Sequence, residues 1–80
     1  MTVKELVKVI CEKRGLSTPQ LAEGAEINPN TLRTTLNRNY GMGMTVEKFL
    51  DWMERMDLQV VIEDIDDGEE YILDGEFEDI

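Results

Sequence analysis

The residues best suited to specific hydrogen bonding lie in a stretch of this chain that contains no acid. Between Ile27 and Val46 there is no Asp or Glu, whereas Asn and Thr recur and two arginines, Arg33 and Arg38, give the stretch a charge of +2. An Asn amide and an Arg guanidinium each present paired hydrogen-bonding atoms, and Thr adds a hydroxyl and a methyl group. A surface built from these residues can bind polar or negatively charged groups.

Residues that could catalyse a reaction are scarce. The chain has no His and one Cys, Cys11, and it contains no P-loop and no Ser–base pair. The acids before Gly68 come closest to a calcium loop, but Gly68 follows Asp64 too early for the required spacing. We therefore expect no enzyme activity, no cofactor and no bound metal.

Length and composition indicate one small globular domain. Hydrophobic residues make up 41% and charged residues 32% of the 80 residues. A chain of this size buries only about 60% of the surface of its unfolded form, so oligomerisation often supplements its core. No apolar run approaches the roughly 20 residues of a membrane span, and a lone Cys suits a reducing compartment. These features predict a cytoplasmic protein without a membrane segment.

The charge is distributed unevenly along the chain. Residues 1–58 carry all eight Lys and Arg and eight acids, whereas residues 59–80 carry ten acids and no base, which accounts for the net charge of −10. Charges act mainly within one Debye length, roughly 8 Å in physiological salt. We therefore expect a neutral domain over residues 1–58 and an acidic tail, residues 59–80, as a C-terminal extension.

Capping signals predict two helices at the start of the chain. Thr2 and Glu5 fit a capping box, in which the Thr hydroxyl accepts backbone N–H groups and the Glu side chain reaches back. Apolar residues then recur at helical spacing until Gly15, which is expected to end the helix. Ser17-Thr18-Pro19-Gln20 is a second capping signal. The expected buried residues of the second helix are Leu21, Ala22 and Ala25.

Two further helices follow. Asn28-Pro29 is expected to cap and begin the third, and Thr45 to cap the fourth. A loop rich in Asn and Gly separates them, from residue 37 to residue 43. The expected buried residues are Leu32 and Leu36 in the third helix, and Val46, Phe49, Leu50, Met53 and Met56 in the fourth. Trp52 is expected beside this last stripe, either as a rim residue or as a dimer contact.

After Leu58 the hydrophobic period changes from 3.6 to 2. Leu58, Val60 and Ile62 then fall on one face of an extended strand, with Val61 on the other. The fold class expected is therefore mainly α, a small four-helix helix-turn-helix domain with a C-terminal β-strand or hairpin.

Asp67-Gly68 predicts a two-residue type I′ turn, with residues 69–73 as the return strand. That register would set Asp66 opposite Glu69, and a like-charged pair destabilises a hairpin. Because an isolated two-stranded hairpin is also marginal, we expect the first strand to need another partner.

The stretch LSTPQLAEGAEINPNTLRTTLNRN resembles the helix-turn-helix of Cro/XRE-type phage and bacterial repressors. The resemblance runs from Leu6 to Leu58 and is carried by Leu21-Ala22 in the first motif helix, Ile27 after the turn and Thr31-Leu32 in the second helix. It implies a DNA-binding domain whose second motif helix recognises the base pairs.

The sequence departs from the family pattern at three positions that bear on this expectation. Thr35 occupies the late apolar position of the second motif helix, with Leu36 beside it. Glu26 stands at the turn position that usually holds Gly, which implies either strain or a slightly different turn, because positive φ is unfavourable for Glu. Thr18 replaces the Gln that commonly opens the first motif helix and contacts a backbone phosphate.

The resemblance assigns roles to the polar residues of the acid-free stretch. Asn can pair with adenine, Arg with guanine and Thr with thymine, and free N–H groups at the start of the helix would meet phosphate. Gly41 and Gly43 would let the following loop approach a phosphate closely. The base-facing positions map onto Asn30, Thr31, Arg33 and Thr34. The remaining residues expected at the DNA are Thr18, Asn28, Asn37 and Arg38.

The acidic tail leaves several interpretations open. Its strand can pair across a two-fold axis, as C-terminal strands do in Cro-like dimers, and the expected interface residues are Trp52, Leu58, Val60, Ile62 and Tyr71. It can instead fold over Arg33 and Arg38 and compete with DNA, or bind a protein partner, with imitation of DNA as one possibility. The simplest interpretation is that the acids only keep a sticky edge strand from aggregating.

These observations favour a sequence-specific transcriptional regulator that binds double-stranded DNA as a homodimer and comes from a phage or mobile element. The alternative is a protein-binding inhibitor or antitoxin that acts through the acidic C-terminal surface.

Overall fold

The computed structural model describes residues 1–76, so the last four residues of the acidic tail lie outside the described part. Four α-helices and a two-stranded antiparallel hairpin follow one another along the chain, which confirms the expected mainly helical fold class. The helices are α1 (Val3–Arg14), α2 (Thr18–Gly24), α3 (Pro29–Asn37) and α4 (Val46–Arg55), with a short 3-10 helix at Asn39–Gly41 between the last two. The strands are β1 (Val61–Glu63) and β2 (Glu70–Ile72).

The chain divides into two compact units, Met1–Thr45 and Val46–Ile80. The N-terminal unit contains α1 to α3 and the 3-10 helix, and the C-terminal unit contains α4 and the hairpin. Six bases and four acids give the first unit a formal charge of +2, whereas two bases and fourteen acids give the second −12. The domain boundary that the sequence predicts after residue 58 stays a prediction.

The caps predicted for the first three helices form, with one difference, and the cap predicted at Thr45 stays a prediction. Ser17 and Gln20 make a reciprocal capping box, in which the Gln20 N–H donates to Ser17 Oγ (3.2 Å) and the Ser17 N–H to Gln20 Oε1 (2.8 Å). At α1 the Glu5 N–H donates to Thr2 Oγ1 (3.2 Å), but the Glu5 carboxylate accepts from the Thr2 hydroxyl instead of reaching the backbone. Gly15 ends α1 in the left-handed region, with φ 66°.

The turn between α2 and α3 contains one residue in the left-handed region. Glu26 has φ 58°, and the turn is closed by an N–H···O bond of 2.8 Å from Ile27 to Ala22. Of the two alternatives raised by the sequence, the structure therefore shows the strained one. A left-handed conformation costs a residue with a Cβ roughly 1–2 kcal/mol.

Gly41 serves packing within the N-terminal unit. It is buried, its φ is 77°, and an added Cβ would lie 3.0 Å from Val3 Cβ and 3.3 Å from Leu36 Cδ2. The expectation that its backbone meets a phosphate is wrong, because this close approach is to α1 and α3. Gly43 is exposed with open space around it, so the same expectation stays a prediction for that residue.

The buried side of α4 differs from the predicted stripe at its two edges. Leu50, Met53 and Met56 are buried as predicted, but Phe49 is only half-buried, Val46 is 64% exposed and Trp52 only 6%. Placing Val46 in the core and Trp52 beside it was therefore wrong. Trp52 precedes Met56 by four residues and so lies on the same side of the helix, one turn away. The ammonium group of Lys48 covers the Trp52 ring at 4.6 Å from its centre.

The hairpin forms, but its register differs from the predicted one by two residues. The cross-strand pairs are Val61 with Ile72, Ile62 with Tyr71 and Glu63 with Glu70. The two-residue turn at Asp67-Gly68 and the pairing of Asp66 with Glu69 were therefore wrong. A like-charged pair still occurs, between Glu63 and Glu70.

Side-chain hydrogen bonds explain the longer loop. The Asp64 N–H donates to the Glu69 carbonyl (2.8 Å), which leaves four residues, 65–68, as the loop. Within it the carboxylates of Asp64 and Asp67 accept from the backbone N–H groups of Asp66 and Glu69, each at 2.9 Å. Such local bonds favour turns. Gly68 ends the loop with φ 73°.

Among residues 1–76, no helix is long and apolar enough to cross a membrane.

Candidate functional site

The polar residues predicted to read DNA lie together on the exposed side of α3. Leu32 and Leu36 are the buried residues of this helix, at 0% and 5% exposure. The side chains on its other faces point into solvent, and the 3.6-residue period sets them apart from the buried pair. The exposed predicted residues are Asn30, Thr31, Arg33, Thr34 and Asn37 on the helix and Arg38 at its C-cap.

The N-terminus of α3 has no free N–H group of the kind predicted to meet phosphate. The side-chain oxygen of Asn28 accepts from the N–H groups of Asn30 (2.9 Å) and Thr31 (3.2 Å), and Pro29 has no N–H to offer. The next N–H, of Leu32, donates to the Asn28 carbonyl at 3.0 Å. The expectation is therefore wrong, because the cap uses these donors. Asn28 orients α3, and any anion here must be met by side chains.

The two arginines of the acid-free stretch are available for binding within their unit. Arg33 and Arg38 are exposed, and neither makes an ion pair with another residue of the N-terminal unit, Glu26 included. A positive side chain without a local counter-ion attracts an external anion more strongly than a paired one does.

A concave surface of about 500 Å³, here called the groove, lies between α1, α2 and α3. Its apolar lining consists of Val7, Pro19, Pro29 and Leu36. Polar groups from the predicted DNA-binding set, those of Thr18, Asn30, Arg33 and Asn37, also line it. The structure thus brings together four residues that are up to 19 positions apart in the sequence. The other predicted residues lie outside this lining.

Two lysines of α1 join this surface, and sequence reasoning did not find them. Lys4 and Lys8 line the groove together with Arg33, and none of the described lining residues is an acid. Their spacing of four residues, which puts them on one side of a helix, was the available signal. Only the packing of α1 against α3 shows that this side faces the polar residues. Lys4 Nζ also lies 6.0 Å from the centre of the Tyr40 ring.

Thr18 is less accessible than the other predicted residues. It is half-buried, and its hydroxyl oxygen lies 4.0 Å from the sulfur of Cys11, which is itself buried in α1. The hydroxyl therefore also serves the contact between α1 and α2.

The predicted interface residues of the C-terminal unit differ in accessibility. Trp52 is buried and has little surface left for a partner, and Leu58 and Val60 are half-buried. Ile62 and Tyr71 are each 52% exposed and lie directly opposite one another on neighbouring strands, so their side chains share a face. The hairpin exposes further large apolar residues, namely Val61, Ile65, Ile72 and Leu73.

Acids surround these apolar residues. Within the described residues of the hairpin segment they are Glu63, Asp64, Asp66, Asp67, Glu69, Glu70, Asp74 and Glu76. Over residues 1–76 no three His, Cys, Asp or Glu side chains are grouped so that they could hold a metal ion.

Comparison with protein-family models, with curated proteins and with solved structures gives no match.

Proposed function

We propose that this chain is a sequence-specific, double-stranded-DNA-binding transcriptional regulator of the Cro/XRE-like class, cytoplasmic and of phage or mobile-element origin. The observation that carries the proposal is the exposed side of α3. It presents amide, hydroxyl and guanidinium groups side by side, contains no acid, and holds two arginines without a counter-ion in their own unit.

The chemistry of this side of α3 fits the edges of base pairs in the major groove. Arg33 can donate two hydrogen bonds to guanine, and the Asn30 amide can both donate to and accept from adenine. The methyl groups of Thr31 and Thr34 suit the thymine methyl. An α-helix is narrow enough to enter the major groove of DNA, and the Asn28 cap satisfies the backbone of its first turn.

Phosphate contacts come from side chains in this proposal, since the N–H groups of α3 are engaged in the cap. Lys4 and Lys8 on α1, with Asn37 and Arg38 at the end of α3, flank the base-facing residues. The N-terminal unit carries only +2 in total. The salt dependence of binding should therefore be shallow, since each phosphate neutralised adds about 0.9 to its logarithmic slope.

A homodimer would place two copies of α3 about 34 Å apart, one turn of DNA. The exposed Ile62 and Tyr71 offer an apolar contact for such pairing, and the half-buried Leu58 and Val60 extend it. Two C-terminal units of charge −12 repel each other. Dimerisation should therefore strengthen with salt, whereas DNA binding weakens with it.

The test is selection of duplexes from a random pool at low salt by the full-length protein. We expect a palindrome to be enriched, and Arg33→Ala to lose preference at one position of each half-site. Lys13→Ala, which removes a charge from α1 outside the groove, is the matched control and should retain the selected sequence. Absence of any enriched sequence would refute the regulator proposal.

A second candidate function is that of a protein-binding inhibitor or antitoxin acting through the hairpin. The specific observation in its favour is the exposure of large apolar side chains, with Ile65 at 90%, in a segment whose only charges are acids. The two candidates differ in where substitutions abolish activity in cells. The regulator requires Asn30 and Arg33, whereas the inhibitor requires Glu69 and Glu70, tested by reversal of their charge to Lys.

A further inference from the structure

The groove has the size and lining of a small-molecule site. Its volume of about 500 Å³ falls within the range of roughly 300–1,000 Å³ that is usual for ligand pockets. Val7 and Leu36 line it but are already covered by the protein, at 1% and 5% exposure, so they leave a ligand almost no apolar surface. The apolar lining that remains accessible is that of Pro19, which is exposed, and Pro29, which is half-buried. Such a surface favours a ligand that brings hydrocarbon out of water.

The charged groups of the groove are all positive. Lys4, Lys8 and Arg33 line it, and its described lining includes no acid. Lys8 and Arg33 make no ion pair with another residue of the N-terminal unit. Asn30 and Asn37 contribute amides that can donate further hydrogen bonds.

We infer that the groove binds a small amphipathic anion, a molecule with an apolar body and one carboxylate or sulfonate group. The body covers the apolar surface of Pro19 and Pro29, and the anionic group lies among Lys4, Lys8 and Arg33. Inorganic phosphate would satisfy the cations but leave the apolar surface wet. A neutral hydrocarbon would cover that surface but leave three cations without a counter-ion, so the two features together select the amphipathic anion.

Occupation of the groove would exclude DNA. Asn30, Arg33 and Asn37 line the groove and also belong to the proposed DNA-binding surface. The same side chains cannot serve both ligands, so the anion lowers the affinity for DNA by mass action. This consequence rests on the proposed function, whereas binding of the anion does not. The anion would thus act as an effector that releases the regulator from DNA.

The direct test is an NMR titration of the full-length, ¹⁵N-labelled protein with 2-naphthoate and, separately, with 2-naphthamide, which has the same rings and no charge. We expect saturable shifts in residues 4–8 and 29–37, with the naphthamide binding at least about threefold more weakly, the size typical of one exposed charge pair. Lys8→Gln should weaken naphthoate binding about threefold as well. Lys13→Gln, on the same helix but outside the groove, should keep the wild-type affinity.

Three results would overturn the inference: shifts confined to the hairpin, equal affinities for the two probes, or equal behaviour of the two lysine variants. The spectra also report whether each variant is folded. The second measurement repeats DNA binding, with the selected duplex, at rising naphthoate concentration. A rising apparent Kd supports competition, and an unchanged Kd at a saturated groove refutes it. If no duplex is selected, the regulator proposal fails while the titration still decides whether the groove binds the anion.

Discussion

The two units of this chain differ in how far their helix ends are capped and their apolar side chains are buried. In the N-terminal unit both capped helix starts of the motif are closed by side-chain oxygens, and Leu32 and Ala22 are completely buried. In the C-terminal unit every residue from 61 to 76 is exposed, although several are large and apolar. The first unit therefore closes its helix starts and exposes apolar residues such as Tyr40 and Met42 outside the acid-free side of α3, whereas the second exposes its apolar residues in a segment rich in acids.

If the proposed function holds, this difference separates the DNA-binding surface of the first unit from the assembly surface of the second. The Asn28 cap satisfies the first backbone N–H groups of α3, so the hydrogen-bonding groups that α3 offers to a ligand are those of its side chains. An apolar hairpin surface gains free energy when another surface covers it, because burial of apolar area is favourable wherever it occurs. The four substitutions below test this comparison, from the largest expected effect to the smallest.

Gly41→Ala should be the most damaging, because it attacks the close packing of the N-terminal unit. The added Cβ would approach Val3 Cβ to 3.0 Å at a backbone φ of 77°. Strain and overpacking together should lower the free energy of unfolding by about 3 kcal/mol, measured by urea denaturation. Gly43→Ala, where nothing lies within 4 Å, is the control and should change it by less than about 0.5 kcal/mol. Equal effects of the two substitutions would contradict the packing role of Gly41.

Asn28→Ala should remove the cap that satisfies α3. Two backbone N–H groups lose their acceptor, so unfolding should become easier by about 1 kcal/mol. Asn28→Asp keeps an acceptor and should retain stability, while its negative charge at the proposed interface should weaken DNA binding. A stable Asp variant with unchanged DNA affinity would show that this end of α3 lies away from the DNA.

Glu26→Gly should stabilise the turn between the two motif helices. Relief of the left-handed strain at φ 58° gains roughly 1–2 kcal/mol, and the flexibility of Gly in the unfolded chain removes about half of it. A net gain of about 0.5–1 kcal/mol should appear as a higher Tm. Glu26→Ala leaves the strain in place and should have no such effect. A similar rise in Tm for both variants would point to removal of the charge instead.

Glu70→Lys should produce the smallest change, because it acts on the exposed hairpin. It replaces the like-charged pair of Glu63 and Glu70 with an opposite pair, which should favour the hairpin by about 0.5 kcal/mol. Hydrogen exchange of the Asp64 and Leu73 amides, which donate across the strands, would measure the gain. Asp66→Lys in the loop makes the same charge change without a cross-strand partner. Identical protection in both variants would attribute the effect to net charge alone.

Local signals explain most of what could be predicted about the fold. The capping residues Ser17 and Asn28 and the stop at Gly15 act within four residues of the helix ends, so they could be read directly. The register of the hairpin could not, because Asp64 and Asp67 bond to the backbone two residues on and favour a four-residue loop over the two-residue turn. The two-residue turn and the four-residue loop are close in free energy, so a few weak hydrogen bonds decide between them.

The candidate site could be predicted only in part. The exposed polar residues of α3, such as Asn30 and Arg33, followed from the buried pair and the helical period. The role of Asn28 as a cap was predicted as well, but its cost, the loss of free N–H groups for phosphate, was not considered. Lys4 and Lys8 were missed because their relevance depends on which side of α1 faces α3.

By itself, the sequence determined the four helices, the caps of the first three, the hairpin and the separation of acids from the base-rich segment, because each depends on neighbours along the chain or on composition. The tertiary structure alone decided the groove, in which residues from three helices meet, the burial of Gly41 against Val3, and the burial of Trp52. These features depend on distances between residues far apart in the chain. Packing sets these distances, and a local sequence pattern does not specify them.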